Sequence, residues 1–214
     1  MQAQRRIEPR EPRERTRARV LEAAEAVFTE QGYAKTSVGD IVGRAGYTRG
    51  AFYSSFRDKN DVFFALMDER LEQRSARVAE ILASAEPARV FDALRDWSRR
   101  TAPTDPDARI ALFTEFRAHA LRDPQARAQL AARDRVVRQA YARAIASQFE
   151  AVGVEPPAPI DDLALIVQVL DTFVPLQRAV DPESVPEGFL FDAFGLLFRA
   201  SVALSQADGG SPAT

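Results

Sequence analysis

Thr48, Arg49, Gly50, Tyr53 and Ser54 crowd into the stretch AGYTRGAFYSSF, Ala45 to Phe56. Together they suit recognition of a polyanion better than bond-making. A guanidinium can read a guanine edge, a glycine lets a partner come close to the backbone, and a phenol or hydroxyl can hydrogen-bond a phosphate oxygen. The spacing predicts that Arg49, Gly50, Tyr53 and Ser54 (i, i+1, i+4, i+5) share one face of a helix. Phe52 and Phe56 would anchor the opposite face. Thr48 is placed to cap that helix, and Tyr47 and Phe52 to staple its entry. The amino end would add free N–H groups and a positive dipole end. On spacing alone, a plain helical hairpin with exposed polar residues fits this stretch equally well.

Other chemistry is sparse. The chain has no cysteine, which excludes disulfides, thiolate metal sites and a cysteine nucleophile. It has no glycine-rich phosphate loop, nucleophile elbow or metal-ligand spacing. Asp161 and Asp162 read as helix caps beside prolines, and His119 is the only histidine. A lone histidine without cysteine makes neither an ordinary zinc site nor a two-histidine constellation. No enzyme activity, metal or cofactor is expected.

The elements that must position Thr48–Ser54 read as helices throughout, and an all-α fold of about nine helices is expected. Val20, Leu21, Ala24, Val27 and Phe28 line one face of a first helix from about Arg13 to Gln31, stopped by Gly32. Thr36 or Ser37 caps a second, with Val38, Ile41, Val42 and Ala45 as its stripe. Gly46 ends it and Thr48 starts the third. Asp58 caps a long fourth helix to about Ser84. Further helices are expected at 88–101, 106–122, 124–152, 161–179 and 187–205, between proline-rich breaks. No apolar run reaches the length of a membrane span, and no secretory leader is evident. The cytoplasm is the expected location.

Charge is uneven. Residues 1–60 hold 12 Lys+Arg against 8 Asp+Glu, and residues 61–214 hold 17 against 23, so a +4 head precedes a −6 body. Such asymmetry suggests that only the head meets a polyanion. Arg5, Arg6, Arg10, Arg13, Arg15 and Arg17 could follow a minor groove or form a solvated tail among Glu8, Glu11 and Glu14.

From Val20 to Met67 the chain resembles the DNA-binding domain of the TetR family of transcriptional regulators. The likeness rests on Phe28, Gly32-Tyr33, Thr36-Ser37, Ile41, Ala45-Gly46, Arg49-Gly50, Tyr53, Phe56 and Lys59, in fixed register. It implies a helix-turn-helix over 13–58 behind a basic arm at 1–12, and a regulatory, ligand-binding and dimerisation domain over 59–205. A disordered tail is expected at 206–214. Carried over residue by residue, Thr36, Ser37, Tyr53 and Lys59 would contact phosphates. Thr48, Arg49 and Gly50 would enter the major groove, with Ser54 on the same face. Lys35 and Lys59, the only two lysines, flank this motif. Ser55 departs from the histidine or aromatic common in the family. Gly39 and Gly43 would either allow close approach to DNA or helix 3, or mark a frayed helix 2.

The segment EFRAHALRDPQARAQL from Glu115 also resembles the family's regulatory domains. Trp97, Phe113, Phe116, His119, Tyr141, Phe173 and Gln177 are candidates to line a pocket for a largely apolar small effector. The same residues would serve a plain helical core. Leu163, Ile166 and Leu170, with Phe191, Phe194 and Phe198, form a candidate homodimer seam. The resemblance therefore implies a ligand-responsive repressor that binds a palindromic operator in double-stranded DNA as a homodimer. Two other readings stay open: a helical DNA-binding protein without small-molecule control, and a helical interaction protein that does not bind DNA.

Overall fold

The computed structural model describes residues 13–102 and 105–209, with side chains to Gln206. Nine α-helices and a short 3-10 turn at Pro87–Arg89 account for the regular structure of these residues. The arm at 1–12 and residues 210–214 lie outside them. Residues 206–209, expected in the tail, instead continue the last helix. Arg13, Arg15 and Arg17 also belong to a helix, not to the arm.

Two compact units divide the chain, Met1–Glu69 and Arg70–Thr214. In the first, α1 (Arg13–Lys35) is broken at Gly32, whose φ of 80° and ψ of 167° no helix can hold. The helices α2 (Val38–Ala45) and α3 (Arg49–Tyr53) follow, then the start of α4 (Lys59–Ser84). The core gathers Val20, Ala24, Val27 and Phe28 from α1, Ile41 from α2, Phe52 from α3 and Val62, Phe63 and Met67 from α4. Three rings lock it. Tyr33 stacks on Phe28 at 5.6 Å between centroids, and Phe63 meets both edge-on at 5.8 and 5.4 Å. This cluster explains why the division falls after Glu69 and not at the expected residue 58. The first turns of α4 supply core to the amino-terminal unit.

The second unit holds the rest of α4 with α5 (Val90–Arg100), α6 (Pro106–Ala120), α7 (Pro124–Val152), α8 (Ile160–Val180) and α9 (Phe189–Gly209). Pro106 and Pro124 occupy the first turns of α6 and α7, where a missing N–H costs nothing. Asp105 and Asp123 cap them, accepting from Ala108 N and from Gln125 N and Ala126 N. Gly153 ends α7 in the left-handed region at φ 66°. One core cluster joins Ile81, Val90 and Leu94, with Trp97 and Phe191 packed against it. Phe198 meets Phe91 and Phe149 at 5.8 and 5.2 Å.

The expectation about apolar runs needs correcting. Both α8 and the Phe189–Gln206 stretch of α9 are long and apolar enough to cross a membrane by length and composition, and little of either is buried. Their exposed apolar residues form stripes: Leu165, Ile166, Val169 and Phe173 on α8, and Phe189, Leu196, Leu197 and Leu204 on α9.

Candidate nucleic-acid interface

Ser37 opens α2 through a full capping box. Its Oγ accepts from Asp40 N at 3.2 Å, and its own N–H donates to Asp40 Oδ2 at 2.8 Å. The helix runs unbroken through Gly39 and Gly43. Gly46 then reverses the chain in the left-handed region at φ 73°, and the N–H groups of Gly46 and Tyr47 both return to the Val42 carbonyl. Thr48 begins α3 at once, its Oγ1 accepting from Ala51 N at 3.3 Å. The connection between the two helices is thus three residues long, set by one glycine and one hydroxyl.

Phe52 and Phe56 point inward, at 0% and 3% exposure. Thr48, Arg49, Gly50, Tyr53 and Ser54 are all exposed, Tyr53 at 57% despite its apolar ring. Gly50 is instructive. A Cβ there would meet only Thr48 Oγ1, at an ordinary 3.8 Å, so the protein's own packing does not require glycine. Gly39 has an internal reason: a Cβ would come 3.4 Å from Arg49 Nη2 and 3.3 Å from Ser37 Oγ, so its bare Cα gives the Arg49 guanidinium room beside α2.

Sequence reasoning missed how α1 surrounds α3 with cations. The Arg13 guanidinium donates to the Ser54 carbonyl. Arg17 lies over the Phe56 ring at 5.4 Å, and Arg19 over Tyr47 at 5.2 Å. A neighbouring helix therefore sets positive charge beside α3. The arginines of α1 recur at helical spacing, but only the packing of α1 on α3 directs them there.

Three expected phosphate contacts also have partners within the protein. Thr36 is buried, and its hydroxyl donates to the Gly32 carbonyl at 2.7 Å. Lys59 donates from Nζ to the Tyr33 and Thr36 carbonyls at 2.7 and 2.8 Å and sits 4.2 Å from the Tyr33 ring centroid. It ties the start of α4 to the end of α1. Lys59→Ala should therefore lower the stability of this unit by about 1–2 kcal/mol, the cost of charge-assisted bonds to carbonyls, and not merely weaken DNA retention. Urea unfolding in the absence of DNA measures it. The Ser37 hydroxyl donates to Asp40 Oδ2 at 2.6 Å, so an anion approaching it meets a carboxylate. That hydrogen bond comes first among the interactions that hold the Asp40 carboxyl below its ordinary range. Ser55, the departure from the family pattern, has its Oγ buried without a hydrogen-bond partner.

The matching proteins now carry weight. Residues 20–66 match the family model for bacterial regulatory proteins of the tetR family. The chain carries the helix-turn-helix domain of the TetR family. The TetR-family segment is 39% identical over 80 residues to the HTH-type transcriptional regulator TtgR of Pseudomonas putida, covering 36% of this chain and 38% of that protein. It is 48% identical over 48 residues to the HTH-type transcriptional regulator AcrR of Shigella flexneri, covering 22% of each. The chain thus spans well under half the length of these curated relatives, which are named as regulators and not as enzymes. Over 89% of its length it superposes on 98% of E. coli NemR, reduced form, at a TM-score of 0.65 and 16% identity. A putative TetR-family regulator from Rhodococcus sp. gives 0.69 and 18%, over 86% of this chain and 99% of that one. At such identity these likenesses show the shared all-helical TetR-family fold.

The carboxy-terminal candidates differ in burial and partners, and Phe116 and His119 meet at 6.0 Å between ring centroids. Phe116 is buried at 1% exposure, and Phe113 is half-buried on the same helix. Trp97 packs against the cluster of Ile81, Val90 and Leu94. His119 is half-exposed, its Nε2 3.5 Å from Asp123 Oδ2. Phe173 and Gln177 are exposed. Tyr141 hydrogen-bonds Asp171, a residue the sequence reading passed over. Of the seam candidates, Ile166 is exposed, Leu163 and Leu170 are half-buried, and Phe191 and Phe198 pack inward. Phe194 is half-buried against Phe191 at 6.3 Å. The exposed apolar stripe runs through Leu165, Ile166, Val169 and Phe173 with Leu196, Leu197 and Leu204. Among the described residues no group of three or more His, Asp or Glu side chains is arranged to hold a metal ion.

Proposed function

We propose that the protein is a DNA-binding transcriptional regulator that acts in the cytoplasm, a homodimeric repressor of a palindromic operator released by a small effector. The single observation that carries this is the exposed face of α3, where Thr48, Arg49, Gly50, Tyr53 and Ser54 stand clear of the core. One such helix reads too few base pairs for specificity. Two copies in successive major grooves, about 34–36 Å apart, read a palindrome. The stripes on α8 and α9 support the dimer: exposed apolar rows of this length suit burial against a second copy better than water. A membrane reading is less apt, because Asp171, Gln168 and Gln177 interrupt α8.

An effector bound by the second unit lowers DNA affinity only as far as it prefers a displaced α4. The test begins by selecting retained fragments from random duplex DNA. Arg49→Ala should then cost about 1–3 kcal/mol on the selected site and relax its base preference. Steep release by salt should persist in the variant. Equal loss on selected and random duplexes would remove Arg49 from base reading. Failure of the native protein to enrich any fragment would remove the regulator reading itself.

A further inference from the structure

Three guanidiniums of α1 meet α3 and its flanks, each with a partner inside the protein. α3 is five residues long, too short to hold its own conformation. Thr48 caps its amino end. At the other end the Ser54 N–H returns to the Gly50 carbonyl at 3.2 Å, and those of Ser55 and Phe56 return to the Phe52 carbonyl at 2.9 and 3.0 Å. The Ser54 carbonyl, like any at the end of a helix, has no intrahelical donor. The Arg13 guanidinium donates to it. A cation suits this end, because the last carbonyls of a helix carry partial negative charge.

Arg17 and Arg19 hold the chain on either side. Arg17 lies 5.4 Å from the Phe56 ring centroid, just after α3, and Arg19 lies 5.2 Å from that of Tyr47, just before it. Arg19 Nη2 is also 3.5 Å from the Ala45 carbonyl at the end of α2. All three arginines are exposed, so no core opens when one is removed. Arg13 and Arg17 nevertheless continue, at steps of three or four residues, the buried face of Val20, Ala24 and Val27. That register brings them to the far end of α3. Tyr53 immediately precedes Ser54 and is 57% exposed, and Arg49 and Gly50 lie about one turn before it. A small rotation of so short a helix about its axis would redirect all of these positions together.

We propose that Arg13 is a positioning residue for sequence reading. It pins the carboxy end of α3, with Arg17 and Arg19 bracketing the helix, so that Arg49 keeps its bearing on the base edges and Tyr53 on the phosphates. The arginines of α1 thereby do more than attract phosphate through their charge. A loose α3 would still be drawn to duplex DNA but would discriminate less between sequences. The inference rests on the reading of α3 as the helix that contacts DNA.

The experiment uses the full chain, native and as Arg13→Ala, Arg13→Lys, Arg49→Ala and the variant carrying both alanines. Without DNA, amide exchange at Ser54, Ser55 and Phe56 should be about ten-fold faster in Arg13→Ala, the loss of one charge-assisted bond. Exchange at Ile41 in α2 should keep its native rate, which separates local loosening from general destabilisation. Arg13→Lys should retain most of the protection, since an ammonium can still donate to one carbonyl. With DNA, the preference for a selected over a random duplex should fall about ten-fold in Arg13→Ala. The salt slope should move by well under the ~1 expected of a lost phosphate contact. Once Arg49 is alanine, Arg13→Ala should cost little further preference, because both act through one reading helix.

Unchanged exchange at the end of α3 overturns the pin. Equal loss on selected and random duplexes, with the slope reduced by about 1, overturns it too and makes Arg13 a phosphate contact. So does an undiminished loss of preference in the Arg49→Ala background. Native protein that enriches no fragment, while Arg13→Ala speeds exchange in α3, refutes the regulator and leaves the pin standing. Native protein that enriches a fragment, with Arg13→Ala as selective as the native chain, refutes the positioning role alone.

Discussion

Phe63→Ala should destabilise the amino-terminal unit by about 3–5 kcal/mol, the range for deleting a buried aromatic. Phe63 is 2% exposed and closes the three-ring cluster with Phe28 and Tyr33. Its removal takes away apolar burial and two edge-to-face contacts, each worth about 0.5–1.5 kcal/mol beyond area. The hole falls where α4 meets α1, so local collapse would have to move a helix. A loss of this size approaches the whole stability of a small domain, so retention of duplex DNA should fall with it. Urea unfolding gives the first quantity and salt-dependent DNA retention the second. Phe63→Leu, which keeps most of the volume, should cost less than about 1.5 kcal/mol. Were alanine as mild as leucine, the ring cluster would not be the core of this unit.

Asp171→Asn should cost the second unit about 3 kcal/mol. Breaking a buried ion pair by removing one partner leaves the other charge uncompensated, commonly at 3–5 kcal/mol, and the part exposure of Arg74 places this case at the low end. Here the penalty falls on Arg74, which loses its counter-ion. The pH dependence has a definite sign. Burial works to raise the Asp171 carboxyl, but the Arg74 charge and the hydrogen bonds from Arg74 and Tyr141 hold it below the ordinary carboxylate range. A carboxyl depressed by folding contributes fully above its unfolded pKa and loses that contribution as pH falls through the folded one. The stability gap between the native protein and Asp171→Asn should therefore be full near neutrality and close only below the usual carboxylate range. Paired unfolding curves across acid pH measure this. A gap that closed nearer neutrality would mean that Arg74 does not dominate the site.

Much of the candidate interface was legible in residue order because it is local. Phe52 and Phe56 are one turn apart, so one face of α3 had to go inward and Arg49, Gly50, Tyr53 and Ser54 outward. Gly46, Thr48 and Ser37 act within a few residues of themselves, through a left-handed turn and two caps, and their identities announce those roles. The proline breaks located helices by the same local logic. Lys59 shows the opposite case. Its position beside the motif suggested phosphate, yet its partners are carbonyls at the far end of α1, and nothing near it in the chain records that. Phe191 and Phe198 are half-buried against Phe194, Phe91 and Phe149, and which apolar face of an all-round apolar helix turns inward depends on the neighbours it meets.

The amino-acid sequence by itself determined an all-helical chain, the turn that joins α2 to α3, and the outward face of α3, since each follows from bonds and periodicities spanning a turn or two. Only the tertiary structure decided that α4 closes the first core, that Arg13, Arg17 and Arg19 gather around α3, and that Arg74 and Tyr141 meet on Asp171. These arrangements join residues up to a hundred or so positions apart in the chain. Helical spacing says which side chains share a face, but charge and ring contacts between helices depend on how whole faces pack.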